Sequence, residues 1–295
     1  WLRSVSIISI LLGGLAVSGY AATFTVTNTN NSGAGSLRQA VLDASATVGS
    51  DSIAFDASFS QPRTIVLATS IVYNPQSSAD VLTIAGPGSS LLTIDGNSVT
   101  SIFYVEANDQ LSLSGMTLTR AINTAVISEG TLNVANMAFV SNDGVNLGGA
   151  ISIAANATQT TIVNSTFTSN SSGYGGAIGT NAGSLTVTNC LFIGNTATSS
   201  SATSQGGGAI HQNSSGTTTI TNSTFNGNAE VGGSGQIVPP GLDATDLMVE
   251  IGNQADLLGI GTHREARRAG VGFVVTGPQA TVLEAQADVA GFELT

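Results

Sequence analysis

Apolar and polar residues alternate in short runs along most of this chain and rarely recur at helical spacing. Thr160 to Val163, Ser184 to Thr188 and Thr217 to Thr221 each read as a strand with one buried and one exposed face. Leu82-Thr83-Ile84-Ala85-Gly86, Leu92-Thr93-Ile94-Asp95-Gly96 and Leu111-Ser112-Leu113-Ser114-Gly115 read as short strands closed by turns. The exception is Ser36 to Ser45. There Ser36 and Gln39 have the spacing of a capping box, and Leu37, Ala40, Val41 and Ala44 form an apolar stripe, which predicts a helix.

Between the strands lies a repeat. Asn-x-x-Phe-x-x-Asn occurs as Asn136/Phe139/Asn142, Asn164/Phe167/Asn170, Asn189/Phe192/Asn195 and Asn222/Phe225/Asn228. Gly-Gly-Ala-Ile alternates with it, starting at Gly148, Gly175 and Gly207, with a degenerate copy at Ser234-Gly235-Gln236-Ile237. From each Ile to the next Asn there are 12, 10 and 11 residues; from the second Asn to the next glycine pair there are 5, 4 and 11. Length variation therefore gathers at one corner, Thr196 to Gly206 in the longest case, as it does in solenoids.

A repeat this short cannot enclose a core, but stacked coils about 4.8 Å apart can hydrogen-bond strand to strand. The reading is an all-β fold, a right-handed parallel β-helix, with the helix over 36–45 as its N-terminal cap. The phenylalanines then stack inward, accompanied two residues earlier by Met137, Ser165, Cys190 and Ser223. Asparagine suits a left-handed bend and an amide ladder. The glycine pairs suit a corner where a Cβ would clash.

Charge narrows the function. Charged residues make up 8% of the 295, with 7 basic and 18 acidic, a formal net charge of −11 and no lysine. Such a chain is a poor partner for nucleic acid. Arg3, the apolar run from Val5 to Val17 and the small residues around Gly19-Tyr20-Ala21 read as a secretory signal over 1–22. The chain opens on Trp1, which suggests a longer reading frame. Cys190 is the only cysteine, so an intrachain disulfide is impossible; its repeat position marks it as a small buried side chain.

The Phe-x-x-Asn and Gly-Gly-Ala-Ile pairs resemble the repeats of chlamydial polymorphic outer-membrane proteins. The run from Asn30 to Ala40, with Ser36-Leu37-Arg38-Gln39-Ala40 at its end, resembles the Ser-Leu-Arg-Glu-Ala cap of exported bacterial proteins with a pectin-lyase-like β-helix. The two resemblances span about residues 23 to 238. They imply a secreted or outer-membrane, adhesin-like protein similar to an autotransporter passenger. Its implied partner is a cell-surface protein or glycan, and its implied anchoring is through parts outside this sequence.

The organisation expected is a signal over 1–22, a cap and first coils over 23–79, solenoid repeats over 80–238 and an acidic tail over 239–295. The tail holds 8 of the 18 acids and lacks the repeat; it reads as a cap or a junction-derived segment. Within it Asp243 to Leu258 and His263 to Ala269 suggest helices, Val271 to Val275 a strand, and Arg264, Arg267 and Arg268 a solvated face.

No catalytic, cofactor-binding or metal-binding residue is assigned. Asp95, Glu106, Asp109, Glu129 and Asp143 occupy different motif positions, with no position stacking two acids; between Arg63 and Arg264 the only basic residue is Arg120. His211 and His263 lack ligand partners at metal spacing. Asn164 and Asn222 begin sequons but carry turn roles. Thr161, Thr186 and Thr219 are expected to form a ladder near Thr188 and Thr221. The expected function is a non-enzymatic adhesin-like or structural scaffold. The alternatives are a polysaccharide lyase or glycoside hydrolase on the same fold and, below that, an ice-binding protein.

Overall fold

The computed structural model describes residues 20–75, 80–145, 147–181, 184–198, 207–212 and 217–230, with the strands Leu242–Thr245 and Met248–Val249. The apolar part of the expected signal, the expected helix at His263 to Ala269 and strand at Val271 to Val275, His263 and the arginines after it, and the degenerate glycine motif lie outside these residues.

Every strand pair is parallel, and the chain winds as a β-solenoid of about 6 turns. Strand alternation generates its faces. A nine-stranded sheet runs from Thr23–Val26 through Asp51–Phe55, Val81–Ala85, Gln110–Ser114, Thr131–Ala135, Gln159–Val163, Ser184–Thr188 and Thr217–Thr221 to Leu242–Thr245. An eight-stranded sheet runs from Arg63–Val66 to Met248–Val249, and a six-stranded sheet from Ile71–Tyr73 to Ile210–Gln212. A short four-stranded sheet turns the variable corner, with Asp143–Gly144, Ser171–Ser172, Thr196–Ala197 and Ala229–Glu230. The corner expected as a loop from Thr196 thus begins as a strand.

Phe139, Phe167, Phe192 and Phe225 pair in register and are buried. Their rings stack at 4.8, 4.7 and 4.7 Å with interplanar angles of 1°, 5° and 3°. Leu118, Ile94 and Ile65 continue the same column into the earlier coils. Leu92–Asp95 therefore belongs to the phenylalanine sheet, whereas Leu82 and Leu111 pair with each other in the nine-stranded one. Met137, Ser165, Cys190 and Ser223 point inward and are buried, as alternation requires.

The two asparagines of the motif share the amide ladder expected of both but not the bend. Asn136, Asn164, Asn189 and Asn222 take the left-handed bend, with φ of 54°, 50°, 56° and 47°. The second set does not. Ser141, Ser169, Gly194 and Gly227 adopt positive φ just before it, which turns Asn142, Asn170, Asn195 and Asn228 into the core. In the glycine corner φ is not the constraint. A Cβ on Gly176 would lie 1.9 Å from the carbonyl oxygen of Gly208 in the next coil.

The helix Leu37–Ser45 buries Leu37, Ala40, Val41 and Ala44 against the first coils. Ser36 Oγ accepts from the Gln39 backbone N–H at 3.1 Å, but the Gln39 side chain donates to Asp43 instead of closing the capping box. Arg38 ties this helix to the loop beneath it, donating to the carbonyls of Asn31 and Ser70 at 3.0 and 2.7 Å. After residue 239 the expected helix does not start at Asp243. Leu242–Thr245 pairs with Thr218 to Thr221, and Met248–Val249 with Thr224 and Phe225, so the next rung begins there. An exposed parallel edge with open N–H and C=O groups favours one more strand over a local helix.

Candidate functional site: an acidic corner and a neutral face

The acids expected to be scattered are in part brought together. Glu106 and Glu129 directly follow Val105 and Ser128, which pair in the six-stranded sheet, so the two glutamates stand at one position in successive coils. Asp80 and Asp109 directly precede Val81 and Gln110, which pair in the nine-stranded sheet. Two positions therefore stack acids, contrary to the sequence reading. Both lie at the corner joining these sheets, and the segment 106–109 connects them. The unequal loops of the early coils hid this, because equivalent positions there follow no constant spacing.

The environments differ. Glu129 accepts from the Tyr104 hydroxyl and, at 3.2 Å, from Asn156 Nδ2. That hydrogen bond, with burial and the nearby negative charge, pushes the Tyr104 phenol up to about 12. Asp80 accepts from the Gly49 backbone N–H at 3.0 Å, and Asp51 from Ala22 N–H at 2.8 Å and from the Thr47 hydroxyl. Asp109 is 7% exposed and its Oδ2 has no hydrogen-bond partner. Burial, then the charge of Glu106, raises its carboxyl to about 6. Gly130 permits the tight packing here: a Cβ would lie 2.2 Å from the Asp109 carbonyl oxygen. The buried Tyr73 phenol is raised further by its own burial and by Asp80, Asp109 and Asp51.

The other candidates stand apart. Asp95 is ion-paired with Arg120 and also accepts from Asn97 N–H at 2.7 Å. Asp143 accepts from the Ser171 hydroxyl at 2.9 Å. His211 stacks on Tyr174 with ring centroids 5.4 Å apart. Asn164 and Asn222 join Asn189 in an exposed amide ladder, with Nδ2–Oδ1 distances of 2.6 and 3.1 Å. Among the described residues no group of three or more His, Cys, Asp or Glu is placed to hold a metal ion.

Compared with protein-family models and with curated proteins, the chain matches none.

The second feature is a surface rather than a cluster. Thr161, Thr186 and Thr219 pair in register along the nine-stranded sheet, as do Thr188 and Thr221. Gln159, Ser184 and Thr217 form the column on their other side. Residues 144 to 229 contain no Asp, Glu, Lys or Arg, so the strands of this face lie in a stretch without formal charge apart from any on His211, bounded by Asp143 and by Glu230 in the last of these coils. Sequence reading found the threonines but missed the length of the charge-free block.

Proposed function

We propose that this chain is an exported, non-enzymatic surface rod of the pectin-lyase-like kind, adhesin-like or scaffolding in role. The observation that carries this reading is the buried ladder of Asn142, Asn170, Asn195 and Asn228 beside the phenylalanine stack. Together they hold successive coils in one register and make a stiff, repetitive display surface. The signal-like 1–22 and the resemblance to polymorphic outer-membrane repeats support export to the bacterial surface. A cell-surface protein or glycan is the partner class, because the shortage of basic side chains disfavours nucleic acid and other polyanions.

The acidic corner favours a second reading, a glycoside hydrolase or polysaccharide lyase. Asp109, its carboxyl raised to about 6 by burial and then by Glu106, lies near Glu106 and one coil from Glu129, and divergent carboxyl environments are what acid–base chemistry uses. Reducing-end and unsaturated-product assays on pectin, alginate and chondroitin separate the two. The rod reading expects binding to cells or glycans without turnover. Turnover that disappears in Asp109→Asn would replace it with the hydrolytic one.

A further inference from the structure

We infer that the outward face of the nine-stranded sheet, over the strands Gln159–Val163, Ser184–Thr188 and Thr217–Thr221, is an ice-binding surface. This deepens the reading of a rigid exported rod and rests on it. The outward positions form a grid: Gln159, Thr161 and Val163, then Ser184, Thr186 and Thr188, then Thr217, Thr219 and Thr221. Six of these nine are threonine. Along the solenoid axis the ring stacking in the same coils sets a repeat of 4.7 to 4.8 Å. Along each strand, alternate residues lie about 6.6 Å apart. Each of these six threonines carries one methyl and one hydroxyl in an orientation restricted by its branched Cβ.

The occupant follows from what this grid contains and lacks. A charged group keeps its own oriented hydration shell, which no regular lattice of neutral water reproduces. Residues 144 to 229 supply no such group, so the face matches an uncharged lattice. No aromatic ring stands on the grid to stack against a sugar. The outward positions run in rows, with Thr161, Thr186 and Thr219 in one and Thr188 and Thr221 beside it. A stiff two-dimensional repeat of hydroxyls and methyls instead suits ordered water, whose oxygen atoms also repeat in two dimensions. The register is not free to drift, because the buried asparagine ladder locks the same coils. The array ends where Asp243 pairs with Thr219 in the next rung.

Thermal hysteresis and ice-crystal shaping of the full chain test this directly. The expected result is a measurable gap between freezing and melting, lost in Thr186→Lys/Thr219→Lys and in the less disruptive Thr186→Val/Thr219→Val. The gap should survive Thr166→Lys, which alters the outward face of the eight-stranded sheet. Circular dichroism with unchanged unfolding midpoints shows which variants remain folded. A folded wild-type chain without hysteresis or shaping overturns the proposal but leaves the rod reading intact. Retention on cellulose or chitin that both double variants abolish, without hysteresis, overturns it in favour of a neutral glycan. Polysaccharide turnover would instead count against the rod reading.

Discussion

Asn170 and Asn195 are joined twice through one oxygen. Asn195 Oδ1 accepts from Asn170 Nδ2 at 2.9 Å and from the Asn170 backbone N–H at 3.0 Å. Asn170 Nδ2 also donates to the Phe139 carbonyl at 3.0 Å, and its Oδ1 accepts two bonds from Asn142 at 3.1 and 2.9 Å. A buried amide can make four bonds, and this one makes all four.

Removing it strands several buried partners. Each buried polar group left without a partner costs about 1–3 kcal/mol, so Asn170→Ala is expected to cost at least about 3 kcal/mol. Denaturant titration measures the loss. Hydrogen exchange should localise it to the coils around Asn142 and Asn195, since solenoid stability is carried by neighbouring repeats. Wild-type stability in this variant would mean that the ladder does not hold the coils.

Thr160 is the opposite case. It points inward in a column with Leu132 and Leu185, and its Oγ1 is buried without a partner. Thr218, in the same column, places its hydroxyl on Gln212. Thr160→Val keeps the shape and removes the orphan hydroxyl, so it is expected to stabilise the chain by about 1 kcal/mol, whereas Thr218→Val should not. Unfolding midpoints of the two variants decide the matter.

Asp109 sets a pH dependence. Its folded carboxyl, raised to about 6 from 3.8, binds a proton more tightly than the unfolded chain does. The resulting stabilisation is full below the unfolded value and is lost as pH rises through the folded one. Melting scans between pH 4 and pH 7 should therefore show a component of falling stability that Asp109→Asn removes. If the slope survives unchanged in this variant, Asp109 is not its source.

Gly176 and Gly33 separate packing from backbone strain. A Cβ on Gly176 meets backbone at 1.9 Å, while Gly33, at φ +89°, has nothing within 4 Å. Gly176→Ala is expected to cost at least about 1–3 kcal/mol, as overpacked interiors do. Gly33→Ala should cost about 1–2 kcal/mol from its left-handed backbone alone. Comparable folded-state spectra with a larger midpoint shift for Gly176→Ala would match this ordering.

Cys190 is expected to resist thiol reagents in the native state. Burial pushes its thiol up to about 11, only partly offset by backbone hydrogen bonding, so little thiolate forms near pH 8. Labelling should become fast only on unfolding. Rapid native labelling would mean that the phenylalanine sheet opens at this coil.

The repeat itself dictated the strands, the inward phenylalanines and the crowded glycine corner. These follow from the pattern along the chain: alternation fixes the face, and the recurring Asn-x-x-Phe-x-x-Asn motif places Phe167 above Phe139. What only folding decided was the division of labour between paired asparagines and the meeting of the acids. Asn164 and Asn170 are chemically identical, but Asn164 itself takes the left-handed bend and joins an exposed ladder, whereas the turn at Ser169 sends Asn170 into the buried one. Glu106 and Glu129 come into register through loops of unequal length, as do Asp80 and Asp109. Pairing across coils depends on which strands hydrogen-bond, a long-range choice that no local period encodes.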